Sequence, residues 1–289
     1  MSLKKFFSLF LLLTSQLIFC QDFQEFVGAI KLNDTSVITY KLKFKVENEK
    51  ISGFSLTDIG GNHETKSTIS GTYTNKELSF KETDIIYTKS NISQKDFCHI
   101  HFEPTRYRVG KTNSMKGNFK GYFSDGQKCL DGELYLNSVA KVEKRMERVK
   151  RFVNRSKRID DTIKQKINNL KLMEKTNVNV LKKSQITSLY TNSNKIALEV
   201  YDGGQEDGDV INIIVDGKTV LRNKKITTTK ELIEIQINNK VTNIEIFAVS
   251  VGEISTNTAI IEISDDINDI KAMTNLKKGE ITTIRVLKK

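Results

Sequence analysis

The chain has 289 residues, enough for two ordinary domains, with 38% apolar residues, 28% charged residues and a formal net charge of +11. One proline and no tryptophan exclude proline-rich stalks and collagen-like repeats, and the apolar fraction excludes a disordered chain. Catalytic signatures are missing too: there is no Gly-x-Ser-x-Gly, no His-Glu-x-x-His and no dinucleotide fingerprint, and the phosphate-loop spacing of Gly203 and Gly208 is followed by Asp209 instead of lysine. The sequence reads as that of a non-enzymatic protein.

Residues 1–20 have the layout of a secretory signal peptide. Lys4 and Lys5 form a charged start, Phe6 to Leu13 are almost wholly apolar, and the apolar character resumes at Leu17. The segment is too short to span a bilayer, and no later window reaches the roughly 18 apolar residues a transmembrane helix needs. The expectation is an exported protein, periplasmic, cell-surface or extracellular. Two fates of Cys20 remain open: cleavage after it, leaving Gln21 as the new terminus, or lipidation, with Leu17 three residues upstream. Bulky Phe19 favours cleavage. Cys98 and Cys129 then remain, and an even pair in an exported chain predicts a disulfide closing a loop of about 31 residues.

Residues 21–137 read as an antiparallel β-domain. Ile38, Tyr40, Leu42, Phe44 and Val46 alternate with Thr39, Lys41, Lys43 and Lys45, which gives a strand with one buried face and one wet face. Similar runs recur near 24–32, 50–58, 63–74, 77–88, 97–109, 114–124 and 129–137, separated by turn residues such as Asn33-Asp34, Asn48, Gly60-Gly61, Asn75 and Asp125-Gly126. Eight strands with short connections predict an up-and-down meander. Gly28, Gly53, Gly71, Gly117, Gly121 and Gly132 share parity with inward residues, which suits strongly curved strands closing into a barrel. The pattern resembles lipocalin or avidin-like barrels in architecture only, and the early Gly-x-Trp of lipocalins is absent. Tyr40, Phe44, Phe54, Phe102, Phe119 and Phe123 are the large inward candidates, either filling the barrel or lining a pocket.

Residues 138–175 change period. Val139, Val142, Met146, Val149 and Val153 recur at helical spacing, and Ile159, Ile163, Ile167 and Leu170 continue after a slip around Asn154–Ser156. Ser138 is a candidate N-cap. Between 141 and 158 the opposite face carries Lys141, Lys144, Arg145, Arg148, Lys150, Arg151, Arg155, Lys157 and Arg158 against Glu143 and Glu147. Such a helix is either a solvated connector with its apolar stripe packed on a barrel, or a peripheral contact for an acidic membrane or lipopolysaccharide surface. Export argues against nucleic acid as its partner.

Residues 176–189 read as a polar linker and 190–289 as a seven-stranded β-sandwich. Its strands fall near 195–202, 209–216, 218–223, 233–237, 243–251, 258–264 and 280–288, with Asp216-Gly217 as a hairpin turn. The aromatic content drops here to Tyr190, Tyr201 and Phe247, so the second core is aliphatic. The run Asp202-Gly203-Gly204-Gln205-Glu206-Asp207-Gly208-Asp209, followed by Ile211, Ile213 and Asp216-Gly217, and the run Gly252-Glu253-Ile254-Ser255-Thr256-Asn257-Thr258-Ala259 resemble a C-terminal module of uncharacterised exported Gram-negative bacterial proteins. The resemblance implies an extracytoplasmic accessory module and supplies no catalytic residues. It covers 195–289 and departs at Thr256, where that module carries a proline.

Asp202, Asp207 and Asp209 are the candidate metal ligands, for calcium, since a hard cation needs several converging oxygens. The spacing fails the EF-hand pattern, and the alternative is an ordinary loop whose aspartates accept backbone N–H bonds. His99 and His101 lie two apart on one strand, and the parity of Cys98, Ile100 and Phe102 aims them outward. No cofactor is expected beyond that calcium candidate. The functional expectation is an exported non-enzymatic interaction protein that contacts an envelope component or a protein partner, and the alternative is a carrier of a small apolar ligand inside the barrel.

Overall fold

The computed structural model describes residues 23–32, 36–169, 178–203, 206–252 and 256–289. The expected signal segment, Cys20 and the Asn33-Asp34 turn lie outside the described residues. The chain is mainly β, with a closed barrel, a short helical connector and a second β body.

The first eight strands are β1 (Gln24–Lys31), β2 (Val37–Glu47), β3 (Lys50–Thr57), β4 (Thr65–Thr74), β5 (Glu77–Thr88), β6 (His99–Arg106), β7 (Ser114–Tyr122) and β8 (Lys128–Ser138). Each pairs antiparallel with the next, and β8 returns to β1 with Gly28 opposite Leu136, which closes the barrel. Two of the hairpins turn through paired left-handed residues, Asn48-Glu49 (φ 48°, 64°) and Asn75-Lys76 (φ 52°, 64°), the twist that matches right-handed strands. Curvature brings backbones very close. A Cβ on Gly28 would lie 1.9 Å from the carbonyl oxygen of Tyr135, and one on Gly117 would lie 2.7 Å from the Phe102 ring.

The interior is filled with rings. Tyr40, Leu42 and Phe44 are fully buried, as are Phe26, Phe119 and Tyr107. Phe26, Phe44 and Tyr107 form a mutual triangle with centroids 5.7–6.1 Å apart, and Phe80 stacks on Phe102 at 5.1 Å. Phe123 falls outside this cluster, just past the end of β7. Phe54 corrects the sequence expectation: it shares parity with Leu56, not Ile51, so it faces out of the barrel and packs against the second core.

The second body has ten strands, three beyond the seven expected. They are β9 (Asn179–Lys182), β10 (Ile186–Thr191), β11 (Lys195–Asp202), β12 (Val210–Val215), β13 (Lys218–Lys225), β14 (Glu231–Gln236), β15 (Val241–Ser250), β16 (Ala259–Ser264), β17 (Asp269–Asn275) and β18 (Ile281–Lys288). One sheet runs β14-β11-β16-β17-β9 and the facing strands run β13-β12-β15-β18-β10. Their core is Ile, Leu and Val, as the scarcity of aromatics predicts. The expected linker 176–189 instead contributes β9 and the start of β10 to the two sheets.

The two bodies share a sheet. β10 pairs antiparallel with the end of β5, through Leu189–Tyr87 and Ser188–Thr88, which makes one run of thirteen strands. Phe54, Leu56, Ile86 and Tyr87 on the outside of the barrel belong to the sandwich core. This cover also explains Lys41, expected on a wet face but only 3% exposed. Lys41 keeps an ion pair with Glu25 at 3.4 Å.

Candidate functional site: a basic helical hairpin

β8 runs directly into α1 (Val139–Arg155), and Ser138 caps it by accepting the Lys141 amide hydrogen at 3.3 Å. The sequence slip becomes a break at 156–160, after which α2 (Asp161–Asn168) starts on an Asp160 cap. The rest of the predicted helix, 170–175, lies outside the described residues. The Asn154 and Asn168 side chains exchange two hydrogen bonds, at 2.9 and 3.2 Å, and tie α1 to α2.

The apolar stripe of α1 is half-buried at Val139, Val142 and Met146, where the helix leaves β8 and meets β1. Val153 is the buried residue of α1, whereas Phe152 is 72% exposed, Val149 43% and Ile163 of α2 48%. Arg145, Arg148, Val149, Phe152 and Arg155 recur at three- and four-residue intervals, so two exposed apolar side chains sit among three exposed arginines on one face. Among the described residues Lys144, Arg145, Arg148 and Arg155 have no carboxylate within ion-pair distance; Lys150 reaches Glu147 at 3.9 Å. The outer face of the hairpin is a cationic surface with Phe152 exposed among the arginines.

The acidic loop is placed differently from the calcium expectation. Asp209 is fully buried, and its two carboxylate oxygens accept the amide hydrogens of Gly252 at 2.9 Å and Thr258 at 2.7 Å. Asp207 accepts the Asp209 amide at 3.3 Å, and a Cβ on Gly252 would lie 2.3 Å from the Asp207 carbonyl oxygen. Asp202 is buried at the end of β11. Among the described residues no three His, Cys, Asp or Glu side chains converge as metal ligands. Burial raises the Asp209 pKa, the two amide bonds lower it, and Asp207 and Asp202 raise it further; the net shift is upward. Asp209 therefore staples its own loop to the one running from Gly252 to Thr258.

His99 is buried and His101 half-buried, with His101 against the Tyr122 ring at 4.7 Å. Burial lowers both of their pKa values. The disulfide joins Cys98 to Cys129 with Cα atoms 6.0 Å apart. It passes over Gly121 of β7, where a Cβ would meet Cys98 Sγ at 2.4 Å.

No helix among the described residues is long and apolar enough to cross a membrane. The chain matches no protein-family model, no curated protein and no solved structure. Fold and surface together define a barrel-plus-sandwich protein with a cationic helical hairpin.

Proposed function

We propose that this chain is an exported, non-enzymatic interaction protein that docks on an anionic envelope surface through the α1–α2 hairpin. The observation that carries this reading is the exposed Phe152 and Val149 set among Arg145, Arg148 and Arg155, which have no carboxylate partners among the described residues. An interfacial aromatic gains by entering a headgroup layer, and each basic residue near an anionic leaflet contributes about 1 kcal/mol. The leader-like start of the sequence and the Cys98–Cys129 disulfide support a location outside the reducing cytosol. The packed barrel interior supports a structural role for that domain.

The test is co-sedimentation of the oxidised protein with phosphatidylglycerol-containing and purely zwitterionic vesicles. Binding to the anionic vesicles alone, weakening with salt and lost in R145E/R148E/R155E, is expected. Equal binding to both vesicle types, or tighter binding to duplex DNA than to anionic vesicles at the same salt, would overturn the reading.

A further inference from the structure

Between the outer face of the barrel and the edge of the sandwich lies a cavity of about 70 Å³, lined by residues from β2, β3, β4, β5, β9 and β17. It has room for several waters, since one water needs roughly 10–15 Å³. Its polar wall is lopsided in charge. Lys41, Lys66 and Lys271 line it with a single carboxylate, Glu64, while Lys41 keeps its Glu25 partner from outside the cavity. That carboxylate is already engaged: it accepts from the Tyr87 hydroxyl at 2.9 Å and from the Gly60 amide at 2.5 Å, and it pairs with Lys89 at 3.4 Å.

Two groups in the wall have unmet demands. Asn179 at the start of β9 is only 4% exposed, and neither its amide nitrogen nor its amide oxygen has a hydrogen-bond partner among the described residues. A buried amide without partners is costly, so such a group signals something that meets it. Lys66 has no carboxylate within ion-pair distance among the described residues, and its ammonium lies 4.4 Å from the centre of the Phe54 ring. Burial pushes the Lys66 ammonium down to about 8, with Asp269 pulling the other way and Lys43 and Lys41 adding to the fall. Lys271, by contrast, is held by Glu262 at 3.0 Å and by the Tyr201 hydroxyl at 2.7 Å.

We infer that this junction cavity binds a small oxyanion, a phosphate or carboxylate group, with Lys66 supplying the charge and Asn179 the directional hydrogen bond. An oxyanion suits the site on three counts: the cavity is too small for a sugar ring or an acyl chain, the Lys66 ammonium in its wall has no carboxylate partner among the described residues, and Asn179 brings a buried amide with unmet hydrogen bonds to the same wall. Junctions between folded bodies are common sites for such ligands. A bound anion would bridge β4 of the barrel to β9 of the sandwich. The inference is independent of the helical hairpin, which lies on another part of the fold.

The experiment is isothermal titration of the oxidised full chain with inorganic phosphate and with acetate, at fixed ionic strength held by sodium chloride, alongside K66M, N179L and the surface control K195M. Saturable binding of phosphate or acetate, weakened at least tenfold in K66M and in N179L but unchanged in K195M, is expected; which anion binds more tightly identifies the headgroup. Circular dichroism establishes that each variant is folded, and N179D, which places a negative charge in the same space, must also abolish binding. Absence of saturable binding to the folded wild type, or equal binding by wild type and K66M, overturns the inference and leaves a hydrated cleft.

Discussion

The Glu82 carboxylate accepts the backbone amide hydrogen of Ile100 at 2.9 Å, inside the barrel wall, at the place where β5 and β6 stop pairing. Its other oxygen accepts from the Tyr40 hydroxyl at 3.1 Å and the Ser55 hydroxyl at 2.6 Å. A side chain thus takes over from the ladder: below this point β5 closes the barrel onto β6, and above it β5 turns to β10. Removing the carboxylate in E82A leaves three buried donors unpaired, and the expected loss is about 3–5 kcal/mol by urea unfolding. E82Q keeps an acceptor for the Ile100 amide, and both hydroxyls can rotate to accept from its NH2, so its expected cost is under about 1.5 kcal/mol.

The same residue sets a pH dependence. Burial raises the Glu82 carboxyl above the usual range, more than its three hydrogen bonds lower it. The folded state therefore binds this proton more tightly than the unfolded state, whose value is about 4.3. The Glu82 contribution is most favourable below the unfolded value and declines as pH rises towards the folded one. Unfolding free energies of wild type and E82Q measured from pH 4 to pH 8 are expected to shift steadily in favour of E82Q. A gap that stays constant, or moves the other way, would count against a carboxyl destabilised by burial.

Replacing both Cys98 and Cys129 with serine frees a loop of 31 residues. The expected loss is about 3–4 kcal/mol in the chain-entropy picture. Reductant is expected to lower the melting temperature of the wild type and leave that of the double variant unchanged.

Asp209 spends both oxygens on the Gly252 and Thr258 amides. D209A is expected to cost about 2–4 kcal/mol, and hydrogen exchange should accelerate at those two amides first. Calcium and chelator are expected to leave the wild-type melting temperature unchanged. A rise of several degrees with calcium would return Asp202, Asp207 and Asp209 to the role of ligands.

Phe152 and Phe44 separate surface from core. Phe44 sits in the ring cluster fully buried, and F44A is expected to cost about 3–5 kcal/mol. F152A removes a ring that is 72% exposed and should change stability by less than about 0.5 kcal/mol, yet weaken vesicle binding measurably.

Much of the barrel is legible from alternation, because every strand has one face in a continuous core. The Tyr40-Leu42-Phe44 register and the paired parity of Gly28 and Gly117 carry through to the fold. The sandwich strands with strong aliphatic alternation, such as β14 and β15, are equally plain. β17 is hidden because its inward residues are Ile270, Ala272 and Thr274, of which only one is strongly apolar. β9 is four residues long and turns Asn179 inward, a polar residue in a core position. The junction leaves a quieter signal: Phe54 and Leu56 sit on the face opposite Ile51, so β3 is apolar on both sides. For the hairpin, periodicity shows which residues share a face but not whether another element covers it. Glu82 follows Leu78 and Phe80 on the inward face, and a charged residue at such a position is itself a pointer to a buried network.

The placement of β18 has a temporal consequence. It lies between β15 and β10, and among the described strands β10 is the one that pairs the sandwich to the barrel's β5. Synthesis delivers the barrel first, with Phe54, Leu56, Ile86 and Tyr87 bare on its flank. The thirteen-stranded sheet remains in two pieces until residues 281–288 have emerged. During that interval the nascent protein displays a greasy patch beside an unfinished sheet edge, the combination that folding chaperones capture. Completion of the shared sheet thus waits on one late strand.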